Sequence, residues 1–219
     1  NESVRRIIRL KLNIERYRKN RIPLSPIEIN RKLEKLSSET VMVLSDPRGL
    51  IPLDKSVYRK ILVVVPKLAS LSSADVSETI RCTLGEHLSS EFGNVKIKSA
   101  SLHPSPEEAD AVLQAAHGSD LVVVATENSN EFPEYLRLLH RIAEAKPTVV
   151  VSLRNPYEAL LFPENAAIVL AFSPIGASME AVKDVLSGSQ ESKGRLPIRL
   201  SAYGRPPEAV PAARPSPAG

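Results

Sequence analysis

A short apolar run that ends in a polar, proline-terminated turn constrains this chain more than any other stretch. Thr148–Tyr157 reads TVVVSLRNPY, preceded by Pro147. The run shows no alternation of apolar and polar positions, so it reads as a strand buried on both faces, the kind found in a mainly parallel sheet covered by helices. Ser152, Arg154 and Asn155 then fall where the C-terminal end of a parallel strand opens toward ligand in open α/β sheets. Asn-Pro-Tyr is equally a turn initiator, because the residue before a proline is pushed out of the helical region. On the residues alone, ligand contact by Arg154 and Asn155 and a plain scaffold turn both stay open.

The same signature recurs along the chain. Lys60–Pro66 (KILVVVP), Asp120–Ala125 (DLVVVA) and Ala167–Ala171 read as buried strands, Val95–Lys98 as a shorter one and Pro197–Leu200 as the last. Helical stretches separate them. Val76, Ile80, Leu84 and Leu88 share one face of the first. Ser105-Pro106-Glu107-Glu108 supplies an N-cap, an N1 proline and a capping-box glutamate for the second, which Gly118 closes. Glu131–Ala145 follows with Tyr135, Leu136, Leu139 and Ile142 inward, then a short helix at Tyr157–Leu161, then Ser178–Leu186 with Ser178 as N-cap and Gly188 as stop. Strands alternating with helices imply crossovers of one hand and a sheet covered on both faces. The fold class expected is α/β: a three-layer α/β/α sandwich with a mainly parallel, flavodoxin-like sheet of five to six strands, over residues 37–203.

The segment before this domain differs in character. Residues 1–36 hold 11 Lys/Arg against 4 Asp/Glu, and the remaining 183 residues hold 18 against 21, so the net charge of +4 comes from one end. Ser3–Lys19 spaces Val4, Ile7, Ile8, Leu10, Ile14 and Tyr17 as an amphipathic helix with arginines mostly elsewhere on the wheel. It carries no aromatic interleaving and no nucleic-acid module, so a nucleic-acid partner is not expected. Ser25-Pro26-x-Glu28 starts a second helix, expected to run to about Leu44, and Asp46–Leu53 (DPRGLIPL) reads as a turn-rich connector. Residues 204–219 form a Pro/Ala-rich tail that lacks the surface to order by itself.

Composition narrows the classes further. A chain of 219 residues with 42% hydrophobic and 25% charged residues can bury a sizeable core, and no apolar run reaches the length of a membrane span. It begins Asn1-Glu2-Ser3, which suggests a fragment or processed product, and neither a cytoplasmic nor a secreted location is indicated. Cys82 is the single cysteine, so no intrachain disulfide forms, and a plain packed or surface thiol is expected. His87, His103, His117 and His140 lack ligand spacing, so no metal is expected.

The search for chemistry removes most motif-based functions. The loop after the first buried strand, Pro66-Lys67-Leu68-Ala69-Ser70, has no glycine, and neither GxGxxG nor GxxxxGK[ST] occurs. Dinucleotide and P-loop functions are therefore disfavoured and no cofactor is expected, although Ser70, Ser72 and Ser73 keep a flavodoxin-like ligand loop open. Gly176-Ala177-Ser178-Met179-Glu180 fails the hydrolase elbow at its last position. Glu127 and Glu131, in the loop Thr126-Glu-Asn-Ser-Asn-Glu131, could split acid and base roles. The plainer reading gives Asn128, Ser129 or Asn130 to capping and Glu131 to the helix dipole. Ser45-Asp46, ahead of Pro47-Arg48-Gly49, is turn chemistry.

Five stretches in order carry a resemblance: DLVVVAT at 120–126, TVVVSLRNPYEALLFP at 148–163, AFSPIGASMEAVKDVLSG at 171–188, GRLPIRL at 194–200, and VMVLSDPRGLIPLD at 41–54. Together they resemble the second, α/β-sandwich domain of glycoside hydrolase family 3, in its β-N-acetylglucosaminidase branch. SVRRIIRLKL at 3–12 is similar to the last helix of that family's barrel domain, making residues 1–36 the terminal helices and linker of a (β/α)8 barrel. The resemblance implies a retaining, exo-acting glycosidase whose nucleophile and sugar-binding residues lie in an upstream barrel, with a carbohydrate substrate bound through it. The domain itself is then non-catalytic, and Glu131, Asn128, Arg154 and Asn155 are the candidates to face substrate. Two positions depart from the family pattern: Ser45-Asp46 replaces its usual Lys-Asn, and Glu131, which falls where the β-glucosidase branch carries its acid/base, lacks that branch's flanking residues.

Overall fold

The computed structural model describes residues 1–18, 23–67, 82–196, 198 and 200. It divides into two units, Asn1–Leu33 and Glu34–Gly219. The first contains α1 (Glu2–Arg18) and the start of α2 (Pro26–Thr40). Ser25 and Glu28 form the expected box: the Ser25 amide donates to Glu28 Oε2 at 2.8 Å and the Glu28 amide to Ser25 Oγ at 3.3 Å. On α1, Ile7, Ile8 and Leu10 are exposed.

The second unit is built on six strands: β1 (Met42–Ser45), β2 (Ile61–Pro66), β3 (Val95–Ala100), β4 (Leu121–Thr126), β5 (Thr148–Ser152) and β6 (Ala167–Leu170). Their order is β1-β6-β5-β4-β2-β3. All neighbours run parallel except β1, which pairs antiparallel with β6. Helices α3 (Leu84–Glu91), α4 (Pro106–His117), α5 (Pro133–Ala145) and α6 (Gly176–Ser187) cover the faces.

The unbroken apolar runs are what the layering requires. Along β2, Ile61, Val63 and Val65 enter one core with Leu84 and Leu88 of α3 and Met179, Val182 and Leu186 of α6. Leu62 and Val64 enter the other, with Val112 of α4 and Tyr135, Leu139 and Ile142 of α5. The same alternation holds in β4 and β5, so every residue of those strands is buried. A Val or Leu taken fully out of water on either face contributes about 1.5–3 kcal/mol.

Some local expectations change. The second helix stops at Thr40, and Met42–Ser45 is a strand: MVLS gains ladder partners from β6, which lies far along the chain, and this outweighs continuation of the helix. Ser178 is not an N-cap. Ile175 holds that position, and Ser178 is buried inside α6 with its hydroxyl 3.2 Å from that of Ser37. Ser105 does cap α4, accepting from the Glu108 amide, but the Glu108 carboxylate does not return to Ser105; it accepts from Lys67 Nζ at 2.7 Å and the Ser101 amide at 3.0 Å. In α3 the described part of the expected helix is Leu84–Glu91, while Val76 and Ile80 lie outside the described residues, as do Ser70, Ser72, Ser73 and the 204–219 tail. Of the expected last strand, Pro197 and Arg199 also lie outside them, and neither Ile198 nor Leu200 is in a strand. Leu196 and Leu200 instead pack against the α4/α5 core.

Candidate functional site

The C-terminal ends of β4 and β5 lie side by side, with Thr126 in register with Ser152 and the Leu153 amide donating to the Thr126 carbonyl at 2.9 Å. This edge positions every candidate residue. Both strands finish on a hydroxyl side chain, and both hydroxyls turn to one acceptor, the carboxylate of Glu158. Oε1 receives Thr126 Oγ1 at 2.8 Å and Ser152 Oγ at 2.6 Å, while Oε2 receives the Ser129 amide and Ser129 Oγ, each at 2.7 Å. Glu158 has no exposed surface. Burying a carboxylate is costly unless its lone pairs are filled, and here four donors fill them.

A second buried carboxylate follows Thr126 directly in the chain. Glu127 is 5% exposed, and its Oε1 lies 2.8 Å from Arg154 Nε. The loop after β4 is thus tied to the loop after β5 twice, through Glu127–Arg154 and through Ser129–Glu158. Between those two anchors Asn128 takes the left-handed conformation, at φ 50° and ψ 35°. Asn is one of the few residues other than Gly that enters this region at modest cost. The chain then makes a 3₁₀ turn, Ser129–Glu131, before α5.

The four residues singled out from sequence therefore sit close in the fold but do different things. Arg154 pairs with Glu127. Asn155 caps the 3₁₀ segment Pro156–Leu161, its Oδ1 accepting from the Tyr157 amide at 2.9 Å. Asn128 supplies the left-handed turn without a side-chain cap bond, and α5 has Phe132 at its N-cap, so none of Asn128, Ser129 and Asn130 caps that helix through its side chain. Glu131 is exposed, its amide bonded to the Asn128 carbonyl at 2.9 Å. Glu158 was not anticipated. The only signal in the sequence was a hydroxyl at the end of each neighbouring strand, Thr126 and Ser152, with Ser129 close behind.

Beneath the edge, Tyr135 is buried and donates to the Ala125 carbonyl at 2.9 Å; burial pushes its phenol well above the ordinary range. Cys82 is buried too. Burial is the main cause that pushes its thiol up to about 11, with the charges of Glu86 and Glu127 adding to it. Both groups are thus uncharged at neutral pH and serve packing. Asp46 acts as turn chemistry: its two carboxylate oxygens accept the Leu50 and Ile51 amides at 2.9 and 2.8 Å. Among the described residues no group of three or more His, Cys, Asp or Glu is placed to hold a metal ion, and no helix is long and apolar enough to cross a membrane.

A parallel-centred sheet with one antiparallel edge, helices on both faces and interlocked loops at its C-terminal edge defines a three-layer α/β/α domain. Residues 41–205 match the family model of the glycosyl hydrolase family 3 C-terminal domain, and the chain belongs to that family. Solved structures with the same fold include a glycoside hydrolase family 3 β-N-acetylglucosaminidase from Paenibacillus sp. str. FPU-7, with a TM-score of 0.72 and 24% identity over 83% of this chain and 34% of that one. A multi-domain fungal family 3 β-N-acetylglucosaminidase gives 0.65 and 19% over 76% of this chain and 18% of that one. The β-glucosidase from Listeria innocua gives 0.61 and 22% over 76% and 26% respectively. This chain therefore spans about a third or less of the length of each. No curated protein sequence matches it.

Proposed function

We propose that this chain is the non-catalytic second domain of a retaining exo-β-N-acetylglucosaminidase acting on glycan or cell-wall fragments. Residues 1–36 are the terminal helices and linker of an upstream (β/α)8 barrel, the partner domain through which the carbohydrate is bound. One observation carries this reading. Both buried carboxylates at the candidate edge, Glu127 and Glu158, are committed to interactions that tie two loops together. A carboxylate that accepts four hydrogen bonds has no lone pair left for a substrate proton, and general acid and base work needs one. The Ser152–Tyr157 turn is thus a wall of the substrate site, and the reacting groups come from the barrel. The likeness to two family 3 acetylglucosaminidases supports the substrate class.

A β-glucosidase-type enzyme is the second reading, and one residue favours it. Glu131 is an exposed carboxylate on the loop after β4, free of the ties that hold Glu127 and Glu158, and a β-glucosidase shares the fold. The two readings separate in the longer protein that contains the barrel, assayed on aryl N-acetylglucosaminide and aryl glucoside. The first predicts preference for the N-acetyl sugar and a change of less than about threefold on Glu131→Gln. The second predicts preference for glucoside and a loss of about 100-fold or more, the size expected for removal of a general acid/base.

A further inference from the structure

We infer that Glu158 is a positioning residue: it fixes the 128–131 loop in its left-handed shape before substrate arrives, so that the exposed side chains of Asn130 and Glu131 meet sugar hydroxyls without the loop first having to be ordered. The inference rests on the proposed glycosidase reading for its ligand, and on geometry for everything else. Glu158 lies 29 residues from Ser129 in sequence, yet gathers the Ser129 amide, the Ser129 hydroxyl and the terminal hydroxyls of β4 and β5 onto one carboxylate. Packing alone does not ask for this. An apolar residue at 158 would fill the same volume, and the Thr126 and Ser129 hydroxyls would then need acceptors elsewhere.

What the arrangement does set is a backbone conformation. Asn128, at φ 50°, is flanked by residues that are each held from the opposite loop, Glu127 by Arg154 and Ser129 by Glu158. A non-glycine residue in this region persists when its surroundings over-determine it, and such places concentrate where a ligand is met. Beyond the anchors the loop turns outward: Asn130 and Glu131 are exposed and Asn128 is half-buried. A loop already fixed binds a polyhydroxylated ligand without the entropy cost of ordering its side chains and backbone.

The conservative variant separates positioning from charge. In Glu158→Gln the amide oxygen still accepts the Ser129 amide and hydroxyl, and the NH₂ group donates to the hydroxyls of Thr126 and Ser152; Ser152 Oγ keeps its own acceptor, the Asn155 carbonyl at 3.1 Å. Glu158→Ala loses the whole set. The test measures amide hydrogen exchange on this 219-residue chain at Ser129, with Val63 of β2 and Val123 of β4 as controls. It is followed by kcat and KM for an aryl glycoside in the longer protein. Glu158→Ala is expected to speed exchange at Ser129 by about tenfold or more with Val63 and Val123 unchanged, and Glu158→Gln to restore it to within about threefold of wild type. In the longer protein KM rises by about tenfold in Glu158→Ala while kcat stays within about threefold, as loss of pre-ordered binding requires. Should Glu158→Ala not fold, Thr126→Val removes one donor at nearly constant volume and is expected to speed Ser129 exchange by about threefold. Uniform acceleration at all three amides, or none at Ser129, overturns the inference. So does local acceleration with KM unchanged. A longer protein inactive on every aryl glycoside overturns the proposed function and the sugar-facing role with it, while the exchange result still decides whether Glu158 sets the loop.

Discussion

Replacing Arg154 by methionine tests whether the Ser152–Tyr157 turn is a structural tie or a ligand contact. Met keeps much of the apolar stem and removes the guanidinium, leaving Glu127 buried beside the space it occupied. Breaking one partner of a fully buried pair costs about 3–5 kcal/mol. The Arg154 side chain is 32% exposed and Glu127 only 5%, so water screens one end of the pair and the expected cost falls to about 2–3 kcal/mol. For a domain of this size each kcal/mol shifts Tm by about 2–4 °C, so thermal unfolding of Arg154→Met is expected about 5–10 °C below wild type at pH 7. Glu127→Gln removes the charge instead, and the double variant Arg154→Met/Glu127→Gln is expected to recover part of the loss, with a coupling of about 1 kcal/mol or more. A coupling below about 0.3 kcal/mol, or an unchanged Tm in Arg154→Met, would refute the tie and return Arg154 to the ligand contacts.

Three further outcomes follow from other parts of the fold. A Cβ at position 194 would run into the Thr40 carbonyl and lie 2.8 Å from the Val41 oxygen, whereas one at Gly93 meets nothing within 4 Å. Gly194→Ala is therefore expected to lower Tm by about 5 °C or more in a thermal melt, with Gly93→Ala within about 2 °C of wild type. The buried Cys82 thiol, raised to about 11, is expected to resist a disulfide reagent for hours at pH 8 in the folded chain and to react within minutes in denaturant; rapid stoichiometric labelling of the native chain would contradict its placement. On α6, Glu180 is held below the ordinary carboxylate range mainly by its hydrogen bond from Lys183, and Lys183 is held above the ordinary lysine range by the same bond. The carboxylate's contribution is present above its unfolded pKa and lost as pH falls through its folded one; the ammonium's is present below its unfolded pKa and lost as pH rises through its folded one. Tm plotted against pH is thus expected to show Glu180→Gln below wild type between these limits and level with it at pH 3.

The parts of the fold legible in the sequence are those whose physics is local or one-dimensional. ILVVVP, LVVVAT and TVVVS declare strands buried on both faces because the runs are short, rich in β-branched valine and isoleucine and without alternation, and Gly188 announces the end of α6 because it takes φ 77° there. β1 was not legible: MVLS follows a helix directly and becomes a strand only through its pairing with Leu170 and Val169. Ser178 looked like a cap because caps are read from residue type, while the backbone places the helix start three residues earlier at Ile175. At the candidate edge the location was legible from strand polarity, and the division of labour was not. Glu158 in PYEALL looks like any glutamate on a short helix. Its burial depends on Thr126 and Ser129 arriving from the end of β4 and its loop, about 30 residues earlier in the chain, to join Ser152, and no window of neighbouring residues contains all of them.

A domain that walls a glycosidase site without performing the chemistry does not hydrolyse glycosides by itself, and the 219-residue chain alone puts this to the test. Incubated with aryl N-acetylglucosaminide and aryl glucoside across neutral pH, the chain is predicted to release aglycone no faster than buffer, while the longer protein containing the barrel turns over. Turnover by the chain alone, abolished by Glu131→Gln, would contradict the claim and place the reacting carboxylate in this domain.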